Sequence, residues 1–313
     1  MMRELECPGF AAEWLNGWLA AVGLLVLEPR LRLRWTEGVS PAAVIICAES
    51  EPLSLALGAW PDADRLDRMP IERNGIPRLD RKVSVEDFRA RAELARDHSD
   101  GWTLSSTLTD LRVDRRDGTL WHAPLDPSSS GPAGTLHDRL VRTYRLVTTP
   151  DEMLPASLAG TGRRVAANGL GFDARRIAGP ADDSTPLTDP VIEVLAFFGL
   201  RLLPARGTGI EVAATERADP DASRQRCWQT PREGTNRGQR MHWPAWSHPL
   251  DLWGVDALLD SWSRIVAASS DARRLSRAAL KRLRIHAGWR TVAYQWKGSS
   301  DTTRGFASEE IFP

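Results

Sequence analysis

The chain writes one short phrase twice. "WLAAVGLLVLEP" occupies residues 18–29 and "VLAFFGLRLLP" residues 194–204. Aligned at their glycines, Leu19, Ala20, Gly23, Leu24 and Leu27 stand opposite Leu195, Ala196, Gly199, Leu200 and Leu203. Each copy reads as a helix, then a glycine able to take the left-handed C-terminal conformation, then a strand. In the first copy Phe10, Trp14, Trp18 and Val22 fall four apart, with Leu15 and Leu19 beside them, as one broad apolar helix face does. In the second, Pro190 suits a first helical turn, Val194, Leu195, Phe197 and Phe198 supply apolar faces, Gly199 ends the helix, and residues 200–203 begin a strand. The alternative is coincidence in a Leu/Ala-rich chain. The repeat predicts an α+β fold of two related helix–strand halves, 1–177 and 178–313, meeting at "AGPADDSTPLTDP" (178–190).

Between the copies, "RLRLRW" alternates strictly, Leu31, Leu33 and Trp35 against Arg30, Arg32 and Arg34, which predicts a half-exposed strand. "AAVIICA" reads as a short buried strand after Pro41. "MPIERNGIPRL" is a turn region around Asn74–Gly75. "SVEDFRARAELARDH" is a helix capped by Ser84, with Asp87 at the capping-box position and Val85, Phe88, Ala92 and Ala95 inward. "APLDPSSSGPAGTLHDRL" is a Pro/Gly/Ser loop leading to another apolar segment. Further on, "LDLWGVDALLDSWSRIVAA" puts Val255, Leu258, Leu259, Trp262, Ile265 and Val266 on one face. Ser270 or Asp271 can cap a second helix, "ARRLSRAALKRLRIHAG", to make a C-terminal helical hairpin. "WRTVAYQWKG" is the last expected strand, with a loose tail after Gly298.

The 313 residues carry equal numbers of basic and acidic side chains, so no whole-chain charge argument applies. The distribution is uneven. Residues 217–297 hold 15 Lys/Arg against 7 Asp/Glu. Arg273, Arg277, Lys281 and Arg284 recur at spacings of four, four and three, with Leu275, Ala279 and Leu283 expected inward. Such a stripe can track a phosphate backbone, releasing condensed counterions. A solvated helix face or a partner's acidic patch are the alternatives. Just before it, Arg232, Arg237 and Arg240 lie in a glycine-punctuated stretch followed by Trp243, Trp246 and Trp253. Arginines among aromatics suit single-stranded nucleic acid, phosphates on the forks and bases on the rings. Trp243 and Trp246 are candidate stacking platforms; the alternative is packing anchors pinned by Pro244 and Pro249.

Catalytic and metal signals are weak. Cys227, His242 and His248 match no common zinc spacing. His137–Asp138 is a dipeptide of metal-dependent phosphohydrolases, but the partners a two-metal centre needs are not evident. No Walker loop and no Gly-x-Ser-x-Gly elbow occurs. No cofactor or metal is expected. Three widely spaced cysteines make no disulfide framework and fit a reducing cytoplasm. The apolar run after Glu13 is shorter than the about 20 residues a span needs, so no membrane association is expected.

"LECPGFAAEWLNGWLAAVGLLVL", "ANGLGFDARRI", "TDPVIEVLAFFGLRLLP" and "WPAWSHPLDLWGVDALL" together resemble, in this order, CRISPR-associated proteins of type I-G (formerly I-U) systems, large-subunit-like or accessory proteins of Cascade complexes. The resemblance implies a non-enzymatic role in or beside a crRNA-guided complex. Its partners would be crRNA or target DNA and other CRISPR-associated subunits. The chain is shorter than a full large subunit, and no base-reading residue carries over. Other functions compatible with the residues are a protein scaffold that binds no nucleic acid, and a metal-dependent nuclease built on His137 and Asp138.

Overall fold

The computed structural model describes residues 2–67, 69, 72–73, 76–77, 83–113, 119–122, 136–173, 187–203, 205–206, 224–229, 240–267, 276–295 and 303–312. The chain opens with strand β1 (Arg3–Ala11), then helix α1 (Leu15–Leu27), β2 (Arg32–Trp35) and β3 (Ala42–Cys47). β3 lies between β1 and β2 and is antiparallel to both, a split β–α–β unit. Its short helices α2 (Pro52–Gly58) and α3 (Ala63–Asp67) follow, and a small pair, β4 (Glu72–Arg73) with β5 (Ile76–Pro77), flanks Asn74–Gly75. Next come β6 (Val83–Ser84), α4 (Val85–Ala95), α5 (Trp102–Thr107), β7 (Leu108–Val113) and β8 (Thr119–His122), the strands ordered β6–β8–β7. Helices α6 (Leu136–Tyr144) and α7 (Pro150–Leu158) lead to β9 (Val165–Ala166), which pairs with β10 (Leu187–Thr188).

Helix α8 (Pro190–Gly199) carries the second phrase, and β11 (Ala205–Arg206) pairs with β12 (Arg224–Gln225). The last sheet is antiparallel, in the order β13 (Trp228–Gln229), β14 (Arg240–Trp246), β15 (Ile285–Gln295), β16 (Thr303–Phe312). Helices α9 (Leu252–Ala267) and α10 (Arg277–Arg282) lie between β14 and β15 in sequence. The fold is therefore mixed α+β with small antiparallel sheets.

The two phrases meet. α1 and α8 pack against each other, and the contact is reciprocal. A Cβ on Gly23 would collide with the Leu195 carbonyl oxygen and stand 2.9 Å from the Gly199 amide nitrogen. A Cβ on Gly199 would collide with the Leu19 carbonyl and stand 2.9 Å from its carbon. Leu19 and Leu195 are aligned partners, as are Gly23 and Gly199. The repeated Leu-Ala-x-x-Gly thus makes a local two-fold contact, residue i on j and j on i. Every residue of α1 from Leu15 to Val26, and all of α8, is buried. These helices are buried all round because they sit inside the core, and they are apolar but for Asn16 and Glu193.

Neither glycine stops its helix in the left-handed way expected. Gly23 lies inside α1, and Gly199 is right-handed (φ −61°) and runs on into a short 3-10 turn over Leu200–Leu202. The strand expected over residues 200–203 is that turn instead. Phe10 belongs to β1 rather than to the helix. Asp189 caps α8, its Oδ1 accepting the Val191 (3.0 Å) and Ile192 (3.3 Å) amides.

Other expectations stand. Leu31, Leu33 and Trp35 are fully buried, while Arg30 and Arg32 are exposed. β3 is buried throughout. Ser84 Oγ accepts the Asp87 amide at 3.0 Å and starts α4. Val255, Leu258, Leu259, Trp262 and Val266 form the buried stripe of α9. The tail is not loose where it is described: β16 pairs with β15 along its length. The 177/178 boundary falls outside the described residues. The segments on either side share one apolar cluster running from Cys7 to Phe306, with a small satellite of Val83, Ala95 and Leu104. No helix among the described residues is long and apolar enough to cross a membrane.

Candidate nucleic-acid interface

Helix α10 begins where Ser276 Oγ accepts the Ala279 amide at 3.4 Å. One apolar residue, Leu280, is fully buried and anchors it. Arg277, Lys281 and Arg282 are exposed, and Ala279 and Leu283 are half-buried. The helix ends because Arg284 takes a left-handed conformation (φ 56°) at the position after the C-cap. Its carbonyl accepts the Ser247 amide at 3.0 Å, and the chain enters β15, with Ile285 opposite Trp246.

Three corrections follow. The helix starts at Arg277, capped by Ser276, and is six residues long rather than reaching Gly288. Arg284 is exposed in the turn and does not extend a stripe along the helix. The inward residue is Leu280. Arg273 and Leu275 lie outside the described residues, as do Arg232 and Arg237. Arg240 opens β14, but its side chain is outside the described set.

What is left is a compact group of exposed cations, Arg277, Lys281, Arg282 and Arg284, with no carboxylate in ion-pair range among the described residues. Several arginines elsewhere are neutralised: Arg226 pairs with Asp256 and Asp260, Arg290 with Glu309, Arg65 with Asp100, Arg164 with Asp173 and Arg34 with Glu4. An unneutralised cluster keeps its full field for a polyanion.

Trp243 and Trp246 are not stacking platforms. Both are fully buried. The Trp243 indole N–H donates to the Ala12 carbonyl at 2.7 Å, and that of Trp246 to the Leu33 carbonyl at 3.0 Å. Trp18 returns the tie from α1, donating to the Pro244 carbonyl at 2.9 Å. Trp246 also meets Trp35 edge-on at 6.1 Å. Strand β14 is covered on both faces, Trp243 reaching the entry to α1 and His242 lying 5.8 Å from Trp262 of α9. No base could reach either ring without unfolding this layer.

Of the histidine and cysteine candidates, His137, His242 and the cysteines are buried, and His248 is exposed. His137 is buried and its Nε2 lies 2.9 Å from the Leu66 carbonyl, so the ring is committed to backbone. Among the described residues no group of three His, Cys, Asp or Glu could hold a metal ion. Cys7, Cys47 and Cys227 are free and buried. Burial pushes the thiols of Cys7 and Cys227 up to about 12.

His242 is fully enclosed, and burial lowers its pKa to about 3. The unfolded chain takes up this proton near the ordinary value of 6.5. Stability from His242 is therefore complete above pH about 6.5 and falls as the pH drops toward 3, by about 1.4 kcal/mol per unit. Replacing it by phenylalanine is expected to flatten the acid limb of a urea-denaturation series by one proton's worth of slope. An unchanged slope would place the ring in contact with water.

One exposed aromatic was not selected from the sequence. Trp253 on the first turn of α9 is 72% exposed. The signal was present: at about 100° per residue it stands about 160° from Val255, on the side opposite the buried stripe.

No protein-family model matches the chain. No curated protein matches it significantly.

Proposed function

We propose that this chain is a non-catalytic, cytoplasmic subunit of a type I CRISPR interference complex that lays α10 and its following turn against the backbone of crRNA or target DNA. The observation carrying this reading is the group Arg277, Lys281, Arg282 and Arg284, exposed together without neutralising carboxylates among the described residues. Each cation that displaces a condensed counterion adds to affinity and to its salt dependence. The CRISPR assignment rests on the resembling stretches. Residues 5–27 and 188–204 hold α1 and α8, so the likeness lies in the element that organises the core. The reciprocal glycine contact supports the accompanying idea that the chain consists of two related halves.

The test is binding of labelled RNA and DNA by the full chain, followed by anisotropy across a salt series. The variant Arg277→Glu/Lys281→Glu is expected to weaken binding by about tenfold or more near 0.1 M salt and to lower the salt slope by about two. Both residues are exposed, so folding should be unaffected. Unchanged affinity would take α10 out of the interface. Association with co-encoded subunits that survives nuclease, with no binding to free nucleic acid, would make the chain a scaffold instead.

A further inference from the structure

We infer that Trp253 is a base-stacking platform and that the surface it shares with the end of α10 takes single-stranded nucleic acid. This rests on the nucleic-acid reading of α10 and adds a class of strand to it.

Three observations bring the segments that carry the ring and the cations to one end of the last sheet. β14 ends at Trp246, and the next amide, Ser247, is bonded to the Arg284 carbonyl. The segment then passes His248, which is exposed, and Leu250 pairs with Leu33 before α9 begins at Leu252. The last turn of α10 and the first turn of α9 therefore emerge at the same end of the β14–β15 ladder. Trp253 points away from the core stripe while Val255, Leu258 and Leu259 fill the core.

The chemistry selects the occupant. A largely exposed indole offers a flat π-face that hydrophobic burial has not used, and every nucleobase has a complementary face. A paired base is already stacked in its duplex, so the ring can engage only an unpaired strand. Arg284 and Lys281 supply the cations that hold a backbone as it passes such a platform, and neither has a carboxylate partner among the described residues. In this arrangement α10 binds phosphates of any strand, and Trp253 discriminates single from double.

The experiment compares an oligothymidylate and an oligouridylate of about 15 nucleotides with a DNA duplex of similar length, using the full chain, wild type, Trp253→Ala and Trp253→Phe. Trp253→Ala is expected to weaken both single strands about tenfold and to leave the duplex within about twofold. Phenylalanine should restore most of the loss, because it keeps a face to stack on. Thermal unfolding of both variants should match wild type, since the ring is outside the core.

Single-strand affinity that is unchanged in Trp253→Ala, while Arg277→Glu/Lys281→Glu still loses binding, would overturn this inference and leave α10 as the interface. An equal loss for duplex and single strand, or no rescue by phenylalanine, would also overturn it. A wild-type chain that binds none of the three probes, but retains an acidic protein partner through Trp253, would overturn both proposals.

Discussion

Gly23→Ala is expected to destabilise the protein by about 3 kcal/mol or more, although it adds one methyl group and raises helix propensity. In an isolated helix the same change would stabilise by about 1 kcal/mol. The sign reverses because the neighbour is backbone. The new Cβ would run into the Leu195 carbonyl and crowd the Gly199 amide, and a backbone cannot rotate away as a side-chain tip can. α1 and α8 would have to separate, loosening Trp18, Leu19, Phe197 and Phe198, all fully buried. Gly199→Ala should cost a similar amount through the Leu19 carbonyl. The double variant should cost clearly less than the sum, because a single separation of the helices relieves both collisions. Gly58→Ala is the control: it is exposed at the end of α2 with nothing near its Cβ direction, and should be neutral or stabilising by up to about 1 kcal/mol. Urea denaturation of the four variants checks this. A Gly23→Ala protein within about 1 kcal/mol of wild type would mean that the helices do not cross at these glycines.

That pair also shows what local sequence could and could not disclose. The repetition itself was visible, and so were elements set by local periodicity. β2 followed from alternating Leu and Arg, α4 from Ser84 and the charges after it, and α9 from its apolar stripe. Gly23 looked like a helix stop because glycine does end helices. Its actual use, close approach of a second backbone, depends on a segment distant in sequence. The same holds for the tryptophans. Pro, Arg and Trp side by side suit a binding loop or a core strand equally well. Only the carbonyls of Ala12 and Leu33, supplied by the other end of the chain, settle which. β1 was missed since Arg3, Glu4 and Glu6 dilute its alternation and Pro8–Gly9 imitate a turn. α10 was drawn too long because Arg284 favours helix by propensity, whereas its left-handed backbone is imposed by the entry into β15. Of the candidate interface, the charge was legible and its exposure was not.

Trp243→Ala is expected to be among the most damaging single changes available, costing about 3–5 kcal/mol. The indole is fully buried, and its loss leaves a cavity between β14 and the entry to α1. It also leaves the Ala12 carbonyl without its donor, a cost of about 1–3 kcal/mol within that total. Trp243→Phe separates the two contributions, since it keeps most of the volume and removes the N–H. It should cost about 2 kcal/mol. Trp18→Phe removes the reciprocal tie to the Pro244 carbonyl, one residue along the strand. The two ties join the same pair of segments, so the double variant should deviate from additivity by about 0.5 kcal/mol or more. The phenylalanine variant further distinguishes a core residue from a binding one. Measured well below its unfolding transition, Trp243→Phe should hold nucleic acid as tightly as wild type, because no base reaches that ring. Wild-type stability together with lost binding would reverse both assignments and return Trp243 to the surface.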